Sequence, residues 1–160
     1  MRDVRARGRC WKVGIVPALV LCLAAAGGAS GQVTTVPQQD LTFGMVVPGV
    51  PETVFVDDGV RRAEWLLTGR GSVTVSFILP TVLQGPSGAV LPLVFANGDA
   101  GWQRTTGGGG MRLEDPNTPF SINVPNRQDI ALYLGGTAQP AVTQSAGSYT
   151  ATITVIVAQP

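Results

Sequence analysis

The stretch SYTATITVIV, residues 148–157, alternates between polar and apolar side chains as far as Val155. One face carries three threonines, and the other carries the apolar residues Tyr149, Ala151, Ile153, Val155 and Val157. β-Branched residues at a period of two, with threonine outward, are typical of a half-buried antiparallel strand. This stretch therefore predicts one long strand near the end of an all-β domain.

Short alternating segments separated by glycine and proline continue this pattern upstream, and no long segment has a helical period. Residues 61–68 and 72–79 flank a glycine turn, which predicts a hairpin with Trp65 and Phe77 turned inward. Residues 40–46 alternate as well. Residues 90–95 predict a strand at an edge or bulge, because Pro92 lacks an amide donor. Seven to eight such strands predict an antiparallel β-sandwich in preference to a barrel.

The first 31 residues have the three-part layout of a secretory signal. Five basic residues precede an apolar run from Val13 to Ala26, and small residues follow. This run is shorter than the roughly 20 residues that a membrane helix needs, and it contains Pro17. We therefore expect an exported protein cleaved between Gly27 and Gln32, with no stable membrane span afterwards, located in the periplasm, at the cell surface or outside the cell.

The mature composition excludes several kinds of site. Both cysteines, Cys10 and Cys22, lie in the leader, so the mature chain can form no disulfide. Its six arginines and nine acidic residues give a net charge of about −3, without a basic patch for nucleic acid. The chain has no histidine, so the usual general base and the commonest metal ligand are missing. We expect no catalytic residues, no cofactor and no metal site; the acidic turns at 57–58 and 114–115 fit turn chemistry better than calcium.

Four segments in order resemble the bacterial DUF4402 family, which is similar to spore coat U and chaperone–usher pilin domains. They are LTFG at 41–44, WLLTG at 65–69, LYLGGT at 132–137 and AGSYTATITVIV at 146–157. The resemblance covers nearly all of the mature chain. It implies an immunoglobulin-like β-sandwich over residues 40–158, preceded by a signal peptide at 1–31 and a short N-terminal segment at 32–39.

The resemblance also implies a structural role in the bacterial envelope or at its surface, as a fimbria-like or coat-like subunit. The expected partners are a periplasmic chaperone, an usher or like subunits, bound by β-strand addition. Two features depart from the pilin pattern. The chain ends without an aromatic residue near its last position, and residues 32–39, with Pro37 inside, make a poor donor strand. We therefore expect a self-complete sandwich, with residues 32–39 not needed by a neighbour.

Two surfaces are candidates for binding, one for strand association and the other, residues 99–111, for a ligand. The first is the last strand, where the expected association residues are Tyr149, Ile153, Val155 and Val157. The second is the glycine-rich stretch 98–111, which reads as an exposed loop. Asp99, Trp102 and Arg104 in it suit a sugar or a peptide, and they support the alternative function of a monomeric secreted ligand-binding domain. The hypothesis that the protein is an enzyme has the least support, since the sequence contains no catalytic motif.

Overall fold

The computed structural model describes residues 32–107 and 109–160. The predicted signal peptide, residues 1–31, lies outside them. Within the described residues the chain forms twelve strands and one short 3₁₀ turn at Pro86–Gly88, and every strand pair is antiparallel. The predicted antiparallel β-sandwich is confirmed. The strands are more numerous than the seven or eight expected, because five short ones lie in stretches that were not predicted as strands: Thr34–Gln39, Val82–Gln84, Ala100–Arg104, Arg112–Glu114 and Gly136–Ala138.

The strands form three sheets. The first sheet has the spatial order β1 (Thr34–Gln39), β3 (Ala63–Thr68), β10 (Ile130–Leu134), β7 (Ala100–Arg104) and β8 (Arg112–Glu114). The second sheet has the order β2 (Glu52–Val54), β11 (Gly136–Ala138), β6 (Val90–Val94) and β5 (Val82–Gln84). The third sheet has the order β12 (Thr154–Ala158), β4 (Gly71–Ile78) and β9 (Phe120–Val124).

The main core lies between the first and third sheets. It joins fully buried side chains of β3 and β10 to those of β4 and β9: Leu67, Ile130, Leu132, Val73, Val75, Ile122 and Val124. Burial of this apolar surface is the dominant favourable contribution to folding. A second cluster, built on Phe43, Val54, Leu91, Leu93 and Ala138, lies against the second sheet. The sequence assigned the inward phase of β3 and β4 correctly.

The predicted hairpin between residues 61–68 and 72–79 is wrong. β3 lies in the first sheet and β4 in the third, so the turn at Gly69-Arg70-Gly71 carries the chain across the core. Both strands alternate, so a hairpin and a crossing between sheets would each turn their apolar faces toward the core. In this structure the two faces meet across the sandwich, and Leu67 and Val73 belong to one cluster. Gly69 has a φ of +136°, and a Cβ there would lie 2.9 Å from the Cα of Val33.

Three other predicted elements differ from the structure. Residues 40–46 form no strand, since Gly44 turns the chain at a φ of +67° and leaves Met45 95% exposed. β6 is an interior strand between β11 and β5, so Pro92 does not mark an edge. The N-terminal segment 32–39, predicted as separate from the sandwich, contains β1, which pairs with β3.

The predicted last strand, residues 148–157, is also divided. Thr150 makes an isolated bridge to Gln84 of the second sheet, whereas β12 pairs with β4 of the third sheet. The chain therefore changes sheets between residues 150 and 154. The sequence assigned the phase of this segment correctly at four of its five inward positions, because Tyr149, Ile153 and the two valines of β12 are half-buried; Ala151 is exposed.

Candidate association surface

An apolar cleft of about 1000 Å³ opens between two extended segments that lie outside the regular strands. One wall is residues 40–48, and the other is residues 144–153. The floor comes from side chains of both neighbouring sheets, among them Ala63, Trp65, Leu83, Leu91 and Leu93. Asp40 is the one charged residue among those that line the cleft. We call this feature the apolar cleft.

The two walls do not hydrogen-bond to each other. Among the described residues, no backbone hydrogen bond joins residues 40–48 to residues 144–153; the nearest link, from Gly49 N to Ala141 O at 3.2 Å, lies just beyond both walls. Thr42 donates to Arg61 O at 2.9 Å, and Thr150 exchanges two bonds with Gln84 at 2.8 and 2.9 Å, so each wall is held from outside the cleft. Buried backbone groups need partners. The cleft therefore combines half-buried apolar side chains with two extended walls that make no backbone hydrogen bond to each other, a setting to which an extended chain can add.

Trp65, Phe77 and Ile153 lie on the predicted inward faces of their segments, and we expected all three to be buried there, but they are only half-buried. They pack against the cluster of Ala63, Ala100 and Leu134 near the cleft. Trp65 and Phe77 also form a tilted ring pair with centroids 6.0 Å apart. Their inward phase was predicted correctly and their burial was overestimated; Trp65 and Ile153 stay partly exposed because they line the open cleft.

Tyr149 fixes the wall formed by residues 144–153. Its hydroxyl donates to Ser145 O at 2.7 Å and accepts from Gln144 Nε2 at 2.6 Å. Its ring lies against Gly85, where a Cβ would come within 2.6 Å of the ring atom Cδ1. Glycine at position 85 is therefore required by close approach, since its φ of −117° suits any residue. Sequence reasoning missed this contact, because the two residues are distant along the chain.

The predicted association residues occupy two neighbouring places. Tyr149 and Ile153 line the apolar cleft. Val155 and Val157 belong to β12 and pack against the main core while staying partly exposed. Ile156 lies on the opposite face and is 45% exposed. The structure thus places Tyr149 and Ile153 in the cleft and the two valines over the main core, and it adds residues 40–48, which the sequence did not indicate.

The predicted recognition loop is mostly a hairpin. β7 pairs with β8, and Ala100 and Gly101 are buried, so residues 98–111 are not an exposed loop throughout. Trp102 donates from Nε1 to Glu114 Oε1 at 3.1 Å and carries the guanidinium of Arg112 at 5.2 Å from its ring centroid. Asp99 accepts the amide of Ala96 in a tight turn.

Asp99, Trp102 and Arg104 are not brought together around one point. Asp99 precedes β7 and Arg104 ends it, so about 16 Å of extended chain separates them. Trp102 is held within the hairpin by β8. The three residues therefore do not form a shared binding site in this conformation.

An ion-pair cluster holds the loop that follows β2. Arg61 contacts Glu52 at 2.5 Å and Asp58 at 2.8 Å. Asp58 also accepts the amides of Val60 and Arg61, both at 3.1 Å. The hydrogen bond from Arg61, and next the amide of Val60, lowers the pKa of Asp58 below 3.8. Each acidic residue here has a structural partner, and the groups serve to fold this loop.

The outer face of the first sheet carries a stacked pair. The guanidinium carbon of Arg62 lies 3.5 Å from the ring centroid of Tyr133, and Arg62 Nη1 donates to Val56 O at 2.7 Å. Burial raises the pKa of Tyr133 above its ordinary value. This cation–π contact places the Arg62 guanidinium over the outer face of β10. Such contacts stabilise the packing of the two side chains.

Within residues 32–107 and 109–160, no group of three or more metal-ligating side chains comes together. No helix in the same part of the chain is long and apolar enough to cross a membrane. Comparison with protein-family models, with curated proteins and with solved structures finds no match.

Proposed function

We propose that this chain is an exported, non-catalytic structural subunit of the bacterial envelope or surface, and that it acts by β-strand-mediated association. The observation that carries the proposal is the apolar cleft, whose walls at 40–48 and 144–153 do not hydrogen-bond to each other. An extended segment placed between them would gain main-chain hydrogen bonds and cover half-buried side chains such as Trp65 and Ile153.

The signal-like leader and the resemblance to the DUF4402 family belong to the same proposal. The leader would bring the protein to a compartment where surface structures are assembled. A chaperone, an usher or a like subunit is the expected partner. Residues 32–39 are not offered to a neighbour as a donor strand, because β1 in this segment already pairs with β3 of its own domain.

The alternative function, a monomeric ligand-binding domain that uses residues 99–111, has weaker support. Trp102 is bound to Glu114 within the hairpin, and Arg104 lies at the other end of β7 from Asp99. The apolar cleft is a concave surface of about 1000 Å³, and its two extended walls favour an extended chain over a sugar.

The test places a charge in the cleft without disturbing the fold. Ala151 is exposed and lines the cleft, so Ala151→Arg puts a guanidinium where an incoming strand would lie. Ala141→Arg is the matched control, since Ala141 is also exposed and is not among the cleft residues. Both variants should keep the thermal transition of the wild type.

The readouts are the sedimentation of the exported protein and its retention at the cell surface. We expect Ala151→Arg to lower the associated or retained fraction several-fold, with Ala141→Arg unchanged. Wild-type association by both variants, or a wild type that is neither associated nor retained, would contradict the proposal.

A further inference from the structure

Most sheet edges in the described part of the chain carry a feature that prevents pairing with another strand. β1 contains Pro37 and a register shift beside it. β2 and β8 carry the charged residues Glu52, Arg112 and Glu114. β5 is bridged by Thr150. Proline, charge, irregular register and covering segments are the usual protections of exposed sheet edges.

β12 itself carries no proline, charge or irregular register, and the hydrogen bond from Val33 N to Gln159 Oε1 lies just beyond its last residue. Its five residues, TVIVA, include no charge, proline or bulge, and they pair continuously with β4 on one side. No strand of the described residues pairs with the other side of β12. No charged side chain occurs anywhere after Asp129, and none occurs in residues 71–84. Two copies of the mature chain, although acidic overall, would therefore meet at β12 without like-charge repulsion.

We infer that β12 pairs with β12 of a second copy, in an antiparallel arrangement around a twofold axis at Ile156. This inference rests on the proposed function, association through strands, and names a second copy of the chain as partner. The third sheet, with three strands, would continue into that of the neighbour as a single six-stranded sheet. An interface that uses one patch twice closes as a dimer.

The register follows from the pattern of β12. Pairing centred on Ile156 sets Ile156 opposite its own copy, Val155 opposite Val157 and Thr154 opposite Ala158. This register keeps both valines on the core face of the sheet, whereas a slip by one residue would turn one copy's valines outward. It also covers Ile156, which is 45% exposed, with a second isoleucine. Cross-strand pairs of β-branched residues are favourable.

The other unpaired edge of the third sheet, β9, is a poorer partner. Pro119 and Pro125 lie immediately before and after β9 and have no amide to donate. Its outward side chains, Ser121 and Asn123, would meet Ile156 across the contact. Pairing of β12 with β9 of a neighbour would also leave both outer edges free, so it would give an open polymer instead of a dimer.

Cysteine cross-linking tests the register, because the mature chain has no thiol. Cys10→Ser and Cys22→Ser are placed in every variant, so that the introduced cysteine is the only one whether or not the leader is removed. Ile156→Cys sets two thiols on directly opposed residues, whose Cα atoms in an antiparallel pair are about 4.5–5.5 Å apart. This spacing permits a disulfide.

Thr154→Cys is the matched control, since Thr154 is exposed and lies on the same face of β12. Its copy would lie about 13 Å away along the strand, beyond the roughly 7 Å limit for a disulfide. We expect most Ile156→Cys chains, but few Thr154→Cys chains, to become covalent dimers under mild oxidation. An equal mixture of Thr154→Cys and Ala158→Cys should form the mixed dimer.

A five-residue pairing alone is a small contact, so the non-covalent dimer should be reversible. Ile156→Lys should raise its dissociation constant at least about tenfold, because two ammonium groups would face each other. Val90→Lys, at a position 47% exposed in the interior strand β6, should leave dimerisation unchanged. Sedimentation measures both variants.

Equal cross-linking at positions 154 and 156, or none at 156, would overturn the inference. Species larger than a dimer that Ile156→Lys abolishes would indicate pairing with β9 instead, and would also overturn it. If cross-linking at 156 fails while Ala151→Arg still reduces association, the proposed function stands without β12 pairing. If β12 dimers form while Ala151→Arg has no effect, β12 pairing stands and the proposed function, which the cleft carries, fails.

Discussion

Gly85→Ala should destabilise the domain through one contact, the ring of Tyr149. The backbone at position 85 (φ −117°, ψ −171°) accepts alanine without strain. The new Cβ would lie 2.6 Å from Tyr149 Cδ1, however, and carbon atoms pack at about 3.5–4.0 Å. The ring must move by about 1 Å. Its hydroxyl would then lose the bonds to Ser145 and Gln144, which are worth about 1 kcal/mol each.

With some loss of ring packing, we expect the free energy of unfolding to fall by about 2–3 kcal/mol. The measurement is urea unfolding followed by the fluorescence of Trp65 and Trp102. Gly59→Ala is the control, since nothing lies within 4 Å of its Cβ position and its φ is not positive. It should change stability by less than about 0.5 kcal/mol.

A double-mutant cycle separates the steric contact from any other effect of alanine. In the Tyr149→Ala background no ring is present, so Gly85→Ala should cost almost nothing. The coupling energy should then be at least about 1 kcal/mol, as for residues in direct contact. A cost equal to that of Gly59→Ala, or equal costs in the two backgrounds, would refute the packing described for this wall of the cleft.

Three further predictions concern other parts of the chain. Mass spectrometry of the exported protein should find its first residue between Gly27 and Gln32; a lipid-modified Cys22 at the new terminus would contradict this. Leu67→Ala, at a fully buried position of the main core, should cost about 2–5 kcal/mol in urea unfolding, and a loss below about 1 kcal/mol would contradict that core. The lowered pKa of Asp58 stabilises the fold at neutral pH, and this contribution should be lost as the pH falls below 3.8 through the folded-state pKa. Compared with the wild type, Asp58→Asn should show a smaller loss of stability between pH 7 and strong acid; equal losses would contradict the assignment.

Deleting residues 32–38 should destabilise the domain, although no neighbour is expected to need this segment. From its sequence, we expected this segment to make a poor donor strand for a neighbour. In the structure it forms most of β1, and the amide of Val33 donates to Gln159 Oε1 at 2.9 Å beside the end of β12. Deletion would expose the edge of β3. The segment stabilises its own domain, which agrees with its not being offered to a second copy.

The alternation of residues along β3, β4 and β12 predicted correctly which side chains face inward. It did not predict their neighbours. An inward Leu67 and an inward Val73 fit a hairpin or a crossing between sheets equally well, because both arrangements bury the same faces. The same holds for Tyr149 and Val155, which share a face in the sequence but contact different sheets.

The candidate surface could be predicted only in part for the same reason. Tyr149, Ile153, Val155 and Val157 stand out because their strand pattern is long and uncharged. The facing wall at 40–48 has no comparable signal, since Gly44 interrupts its alternation and Met45 points to solvent. The requirement for glycine at position 85 depends on a ring 64 positions away, and no local pattern indicates it.

The sequence by itself determined the fold class, the inward phase of the main strands and the uncharged character of the C-terminal segment, because these depend on residue type and a period of two. The tertiary structure decided which strands pair, where the chain changes sheets, that the sandwich stays open at the apolar cleft and that β12 has a free edge. These features depend on contacts between distant segments, whose energies no local pattern encodes.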